Sequence, residues 1–234
     1  IAKGKEDGRL YNRKVRLMRK TYDEELKNLN ESIIEMGILC EKIMTKAITS
    51  IDNYSEILKT EVYGLEEEID RSEHEIENLI LRIILRNQPV ASDLRKISAG
   101  LKIITDMERI GDMARDIVDI SKFLPKDIDR DVLKELNNMS DFAKKMVETS
   151  IDAYVISEIK IAEKVILDDD VVDNYFVEIR DMLVEIIRTK QHRAAAAIDV
   201  IMIAKYIERI ADHATNIATW VTFVVTGVHS PKKI

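Results

Sequence analysis

The sequence predicts an all-α protein made of two tandem three-helix repeats, and three observations support this fold class. Only 7 glycines and 3 prolines occur in 234 residues, while charged residues make up 34%. Strands and turns use glycine and proline, so their scarcity favours long helices with few connections. Apolar residues recur at spacings of three and four, as in amphipathic helices. A ten-residue motif also occurs twice, at 108–117 and 208–217.

Three long helices are predicted before Pro125. The first opens at Thr21, which forms a capping-box pattern with Glu24, and its apolar stripe continues to Leu58. The second covers about 61–86 and the third 91–123, with Pro89 in the turn between them. Residues 1–17 are basic, contain glycine and lack periodicity, so we expect an N-terminal tail there. Residues 18–124 then form the first repeat.

The second repeat is predicted over residues 125–234, with helices at about 127–157, 159–189 and 194–227. The segment Glu108–Ile117 matches Glu208–Ile217 at six of ten positions. Chance similarity between helices usually preserves apolar spacing rather than a Glu-Arg-Ile-x-Asp string in corresponding helices. The chain is therefore predicted to contain an internal duplication, giving six long helices in all.

Charge and hydropathy exclude several function classes. The net charge is −7, and no basic stripe with interleaved aromatic residues occurs, so nucleic acid is not expected as a partner. The longest apolar run, at 217–228, is shorter than the roughly 20 residues that cross a bilayer, so no transmembrane segment is expected. Cys40 is the single cysteine, which rules out an intramolecular disulfide and favours a cytoplasmic location.

Four acidic pairs with a spacing of four residues recur in the two repeats. They are Glu66/Asp70, Glu108/Asp112, Asp169/Asp173 and Glu208/Asp212, with Asp116 one turn beyond Asp112. Residues four apart share a helix face. In an antiparallel hairpin, residues equidistant from the turn lie at the same height. Position 89 is midway between 70 and 108 and between 66 and 112, and the second-repeat pairs are likewise centred on their turn. Each hairpin is therefore predicted to bring four carboxylates together.

Clustered carboxylates repel one another unless a positive charge lies among them. Arg109 and Arg209 follow their glutamates directly, so they are expected about 100° away from the acidic face, whereas Arg115 is nearer to it. Oxygen ligands suit hard cations such as Mg²⁺, Mn²⁺, Ca²⁺ or ferric iron. The small residues Gly111 and Ala211 leave room for an ion or a close helix. A solvated acidic face that binds nothing is the alternative.

The segments Gln88–Arg95 and Leu101–Asp112, with the acid-x-x-x-acid layout of both halves, resemble the PhoU family. The resemblance covers about residues 18–227, and the two Glu-Arg-Ile-x-Asp strings are its most specific part. The second half departs from the pattern, with Ala194–Ala197 in place of Pro-Val-Ala-Ser-Asp-Leu-Arg and Asn216 in place of Asp116. The second site is therefore expected to hold its cation differently.

The resemblance implies two pseudo-symmetric three-helix bundles with multinuclear metal clusters, iron first and Mg²⁺ or Mn²⁺ as alternatives. It implies a negative regulator of phosphate uptake that contacts the phosphate transporter ATPase and a sensor histidine kinase, and it makes a homodimer reasonable. The ligands carried over by the resemblance are Glu66, Asp70, Glu108, Asp112, Asp116, Asp169, Asp173, Glu208 and Asp212.

Two other functions are consistent with parts of the sequence. Carboxylate-bridged di-iron enzymes also place glutamates inside helix bundles, but they use a Glu-x-x-His motif, and no histidine here has a glutamate three residues before it. The chain is therefore not expected to be an enzyme. A metal-free helical scaffold that binds partners through apolar helix ends, such as the segment around Trp220, is the third possibility.

Overall fold

The protein is a bundle of six long α-helices, in agreement with the predicted fold class. A computed structural model describes the backbone of residues 2–87 and 89–228, with side chains from residue 20 onward. The helices are α1 (Ala2–Asp52), α2 (Glu56–Asn87), α3 (Ala91–Ser121), α4 (Arg130–Ile156), α5 (Ile159–Thr189) and α6 (Ala194–Thr226). A short 3₁₀ turn, Gln191–Arg193, precedes α6. No strand occurs over these described ranges, and none of their helices is long and apolar enough to cross a membrane.

Two predicted helix limits differ from the structure. Helix α1 begins at Ala2, well before Thr21, because a threonine that can cap a helix is also tolerated inside one. The division of the chain at residue 17 stays a prediction. Helix α1 ends at Asp52 rather than near Leu58, since α2 starts at Glu56 and the Ser55 hydroxyl accepts a hydrogen bond from the Leu58 N–H at 3.1 Å. Serine is a strong N-cap residue, and it supplies the helix start here without glycine or proline.

Each repeat forms a three-helix bundle, and the two bundles share one core. Helices α1, α2 and α3 contact one another, as do α4, α5 and α6. The bundles meet where α3 packs on α6 and α1 packs on α4, while α2 and α5 lie on the outer sides. Fully buried side chains from both halves, including Ile33, Met107, Met139 and Ile207, belong to a single apolar cluster. Cys40 is part of this core, where burial raises the pKa of its thiol to about 12.

The contacts between the bundles occur twice, related by the duplication. Asn216 of α6 donates a hydrogen bond to Asp106 of α3 at 3.2 Å. Tyr206 of α6 is equivalent to Asp106, and Asp116 of α3 is equivalent to Asn216. These two residues also form a hydrogen bond between the bundles. The segments Thr49–Tyr54 and Thr149–Tyr154, at the ends of α1 and α4, also agree at five of six positions. The duplication therefore extends beyond the acidic motif to the helices that join the halves.

Candidate metal centre

The first acidic cluster lies between α2 and α3, near the middle of their hairpin. Glu66 is buried, and one carboxylate oxygen from each of Glu66, Asp70 and Asp112 lies within 4.8 Å of the other two. The hairpin register about Pro89 predicts this grouping, because Glu66 and Asp112 are equidistant from the turn. Gly111 allows the close approach of the two helices, since a Cβ atom there would lie 3.2 Å from the Ile69 Cδ1 atom of α2.

Glu108 adds a fourth carboxylate one turn before Asp112. Its side chain is 17% exposed. Burial, then the neighbouring charge of Asp112, raises the pKa of Glu108 to about 7, and Asp70 contributes in the same direction. Burial also raises the pKa of Glu66, with Asp70 and Asp112 adding to the effect. Both shifts have the same origin, because crowded and partly desolvated carboxylates disfavour the charged form.

Two arginines neutralise part of this charge, one of them unexpectedly. Arg109 lies near both Glu108, with Nε 3.2 Å from Oε2, and Asp112, with Nη1 3.1 Å from Oδ2. The expectation that Arg109 points away from the acids was therefore wrong, because its long, flexible side chain can fold back along the helix. Arg115 does lie at the acidic face, where its Nη1 atom forms an ion pair with Glu66 Oε1.

Oxygen atoms of the cluster remain available to a cation. Asp70 Oδ1 is buried and has no hydrogen-bond partner, whereas Glu108 Oε2 is paired with Arg109. A buried carboxylate oxygen without a donor is costly, and a bound cation would remove that cost. The donor set contains carboxylate oxygens only, which fits Mg²⁺, Mn²⁺ or iron better than zinc or copper. The residues present therefore fit a hard cation held by Glu66, Asp70 and Asp112, while Glu108 lies one turn away and outside this converging group.

Asp116 lies at the edge of this region and faces the second repeat. Burial and then the charge of Asp116 raise the pKa of the Tyr206 hydroxyl, which hydrogen-bonds to Asp116. Asp116 also acts on the Arg115 guanidinium, whose pKa is raised by its acidic neighbours against the opposing effect of burial. Its place between Tyr206 and Arg115 connects the first cluster to α6, and its role as a ligand stays a prediction.

The second acidic cluster lies between α5 and α6, at the equivalent place in the other bundle. Asp169 is buried and Glu208 is partly buried, while Asp212 lies at the exposed edge. Partial burial of its carboxyl group, then the charges of Glu208, Asp169 and Asp173, raises the pKa of Asp212 to about 6, so the other three acids lie near enough to act on Asp212. Among the described side chains these acids do not converge as closely as the first cluster.

The charge partners of the second cluster also differ. Lys205 forms an ion pair with Glu208, one turn before the acid, and its side chain is 47% exposed. Residue 215, equivalent to Arg115, is a buried threonine. His213, next to Asp212, points to the other repeat, where its Nδ1 atom lies 2.8 Å from Asp106 Oδ1. The histidine therefore joins the two bundles instead of the acidic cluster.

A polar group beside the first cluster was missed from sequence. The Tyr63 hydroxyl donates to Asp119 Oδ2 at 2.8 Å, and Lys59 Nζ lies 2.7 Å from Asp119 Oδ1. The Arg115 guanidinium lies over the Tyr63 ring, 5.8 Å from its centre. The register about Pro89 contains this signal, because 89 is midway between 59 and 119 and between 63 and 115. These pairs are not both acidic, so the acid-x-x-x-acid spacing does not reveal them.

Comparison with known proteins identifies the family. The family model described as PhoU domain matches residues 33–121 and 136–221, one match in each repeat. A Clostridium acetobutylicum protein named phosphate-specific transport system accessory protein PhoU homolog is 32% identical over 212 residues, covering 90% of this chain and 97% of its own length. A Thermotoga maritima protein named phosphate-specific transport system accessory protein PhoU homolog 1 is 33% identical over 207 residues. The match covers 88% of this chain and 89% of that protein.

A solved structure agrees with both the fold and the family. The crystal structure of PhoU from Pseudomonas aeruginosa superimposes with a TM-score of 0.84 at 28% identity, covering 88% of this chain and all of that one. The family matches, the relatives and this structure all span both three-helix repeats. With its duplicated acidic motif in the corresponding helices, the chain belongs to the PhoU family.

Proposed function

We propose that this chain is a metal-binding accessory protein of a phosphate-specific transport system, which restrains phosphate uptake and phosphate-starvation signalling. The observation that carries the proposal is the duplicated acidic motif, whose first copy forms a converging cluster, inside a chain that matches named accessory proteins of that system over most of both lengths. The family match supports the association with phosphate transport. The acidic clusters support the use of a metal.

The metal-binding part of the proposal assigns four carboxylates to each bundle. Glu66, Asp70, Glu108 and Asp112 hold the first cation, and Asp169, Asp173, Glu208 and Asp212 hold the second. Asp116 joins the first site from its edge. Iron in a multinuclear cluster is the proposed occupant, with Mg²⁺ or Mn²⁺ as alternatives that the same oxygen ligands accept. A bound cation supplies positive charge between paired helices that otherwise carry closely spaced negative charges.

The regulatory part of the proposal requires contacts with other proteins. We assign the protein to the cytoplasm as a homodimer that contacts the transporter ATPase and a sensor histidine kinase, as expected from the family resemblance. Large apolar side chains are exposed on the outer helices α2 and α5 and at the start of α6, and they offer surfaces for such contacts. They include Leu81 and Leu85 on α2, Leu167 and Val184 on α5, and Ile198 on α6. The chain acts by binding, and no catalytic step is assigned to it.

Metal content tests the metal-binding part directly. The purified protein and its Asp112→Asn/Asp212→Asn double variant are compared by elemental analysis after incubation with iron, Mn²⁺ and Mg²⁺. We expect bound metal in the parent and a large loss in the variant, because one carboxylate is neutralised in each cluster. The control is Asp141→Asn/Asp181→Asn, which also neutralises one aspartate in each repeat. Both of these aspartates are exposed and lie outside the two clusters. Metal-free parent protein, after all three incubations, would refute metal binding.

Deletion of the gene tests the regulatory part independently. In phosphate-rich medium, we expect the deletion strain to take up more phosphate or express more alkaline phosphatase than the parent strain. A plasmid copy of the wild-type gene should restore the parental level, and the Asp112→Asn/Asp212→Asn copy should restore it less. Unchanged uptake and phosphatase in the deletion strain would refute the regulatory role, whatever the metal content.

A further inference from the structure

A cavity of about 370 Å³ lies at one end of the second repeat, away from both acidic clusters. The segment between α3 and α4, the end of α5 and the start of α6 surround it. Its apolar wall is formed by Ile128, Val132, Leu183, Ile186, Ala197 and Val200. Small-molecule sites in proteins are concave, mostly apolar and about 300–1,000 Å³ in volume, with a few polar groups that orient the ligand. The cavity therefore has the size and lining of a site for a small ligand.

Two differences between the repeats account for this space. The duplicated motif aligns Ala197 with Ile97, so a small side chain occupies the position where the first repeat has a large, fully buried one. In the first repeat α1 also continues through Tyr22 and Leu26, which pack against the core. In the second repeat α4 begins only at Arg130, after the turns of residues 122–129. A smaller residue and a shorter helix thus leave room at this end of the second bundle.

Two pairs of opposite charges lie at the mouth of the cavity, and they are held differently. Arg193 Nη1 donates to Asp127 Oδ1 at 2.8 Å and to the Asp127 carbonyl oxygen at 3.1 Å, so this pair is fixed. Lys190 Nζ lies 3.7 Å from Asp129 Oδ2, which is longer than a hydrogen bond. The Asp129 side chain already accepts a hydrogen bond from the Asp131 N–H at the start of α4. Lys190 has three N–H donors and a side chain that is 53% exposed, so it can pair with an additional anion.

We infer that this cavity binds a small amphipathic anion, an aliphatic carboxylate, whose chain lies on the apolar wall and whose carboxylate pairs with Lys190. An anion is favoured over a cation because Asp127 and Asp129 already have partners, while His192 adds a second basic group at the mouth. Each methylene group that is buried should strengthen binding about fourfold, until the chain fills the cavity. The inference does not depend on the metal binding proposed above, since the cavity contains none of the proposed ligands.

Isothermal titration calorimetry of the full chain with octanoate tests the inference. Butanoate shortens the aliphatic chain, octanol removes the charge, and octylammonium reverses it. Ala197→Ile places the side chain of the equivalent first-repeat residue in the cavity, and Lys190→Gln removes the proposed anchor. The matched controls are Ala195→Ile, an exposed position of the same helix, and Lys164→Gln, an exposed position of α5, neither of which lines the cavity.

We expect octanoate to bind saturably and more tightly than butanoate, octanol or octylammonium. Ala197→Ile should abolish this binding, and Lys190→Gln should weaken it about tenfold while leaving octanol unaffected. Both controls should bind octanoate as the parent does. Circular dichroism checks that each variant is folded, and Ala197→Val replaces Ala197→Ile if the latter unfolds.

Three results would overturn the inference. The first is the absence of saturable octanoate binding by the parent protein. The second is binding that persists when residue 197 is enlarged, because the ligand would then lie elsewhere. The third is octanol or octylammonium bound as tightly as octanoate, since the site would then not select an anion. None of these results bears on the metal content of the protein.

Discussion

Gly37 on α1 lies so close to Ile151 on α4 that a Cβ atom at position 37 would be 2.9 Å from the Ile151 Cγ2 atom. This distance is shorter than van der Waals contact, so the absence of a side chain at position 37 allows the two repeats to approach here. Gly64 on α2 is the opposite case, because no atom lies within 4 Å of a Cβ placed there. The two helical glycines therefore have opposite expected responses to substitution.

Gly37→Val should destabilise the protein by about 1–3 kcal/mol, because the added isopropyl group must displace Ile151 and the helices around it. Gly64→Ala should stabilise it by about 0.5–1 kcal/mol, since alanine favours the helix and meets no neighbour. Urea denaturation followed by circular dichroism measures both. A Gly37→Val protein as stable as the parent would show that the α1–α4 contact is looser than the structure indicates.

Removal of metal should lower the melting temperature of the protein. An ion present at a hundred times its dissociation constant contributes about 2.7 kcal/mol to the free energy of unfolding. In a chain of this size each kcal/mol corresponds to roughly 2–4 °C. We therefore expect Mn²⁺ to raise the melting temperature by several degrees, and a chelator to reverse the effect. The Asp112→Asn/Asp212→Asn variant should respond little, and an equal response in that variant would exclude these clusters as the binding sites.

The stability of the metal-free protein should fall as pH rises from about 4.5 to 7. In this range the folded chain keeps a proton on Glu108, whose pKa is raised to about 7, while the unfolded chain has released it. Because the folded state binds more protons, its stability decreases with pH until Glu108 is ionised in both states. The partial exposure of Glu108 limits the effect to about 2 kcal/mol or less. Urea denaturation of chelator-treated protein across this pH range measures it.

Glu108→Gln should reduce the slope of that pH dependence, because this residue no longer titrates while Asp212, whose pKa is raised to about 6, still contributes. Asp119→Asn is the matched control on the same helix. Burial acts to raise the pKa of Asp119, but its hydrogen bonds from Lys59 and Tyr63 outweigh burial and lower it, so Asp119 titrates outside this range. A parent protein whose stability rises from pH 5 to 7, or a Glu108→Gln variant with an unchanged slope, would contradict the assignment of the effect to Glu108.

Ser55→Ala should destabilise the protein by about 1 kcal/mol, because the Leu58 N–H at the start of α2 loses its acceptor. Ser92→Ala, in the first turn of α3, should have little effect, since α3 begins without a side-chain cap. Thermal unfolding of the two variants measures the difference. Equal losses in both would show that general serine replacement, and not capping, accounts for the change.

The helical architecture was predictable from sequence because its signals are local and repeated. Apolar spacing, the breaks at Pro89 and Pro125, and the duplicated motif each pointed to the same six helices, and the structure confirms the fold class. The end of α1 was misplaced because the apolar stripe continues through Tyr54 and Leu58, while the break depends on a single capping serine. The spacing of apolar residues alone does not reveal a break that depends on a cap.

The acidic clusters were predictable to the level of helix register but not of side-chain contacts. Equal distance from a turn places Glu66 opposite Asp112 whatever their rotamers. The position of a long arginine side chain depends instead on which charges attract it. Arg109 therefore pairs with Glu108 and Asp112, although its Cα–Cβ bond points about 100° away from the acidic face. The link between His213 and Asp106 joins residues of different repeats, and no hairpin register relates them.

Covalent fusion of the two bundles has a consequence for how such a protein evolves. In a dimer of identical single-repeat chains, every substitution appears in both halves, so an arginine introduced beside one acidic cluster is introduced beside the other. Here position 115 is arginine and position 215 is threonine, while the contacts between α3 and α6 retain their exchanged equivalents. Each half can therefore change its residues without imposing the same change on the other half.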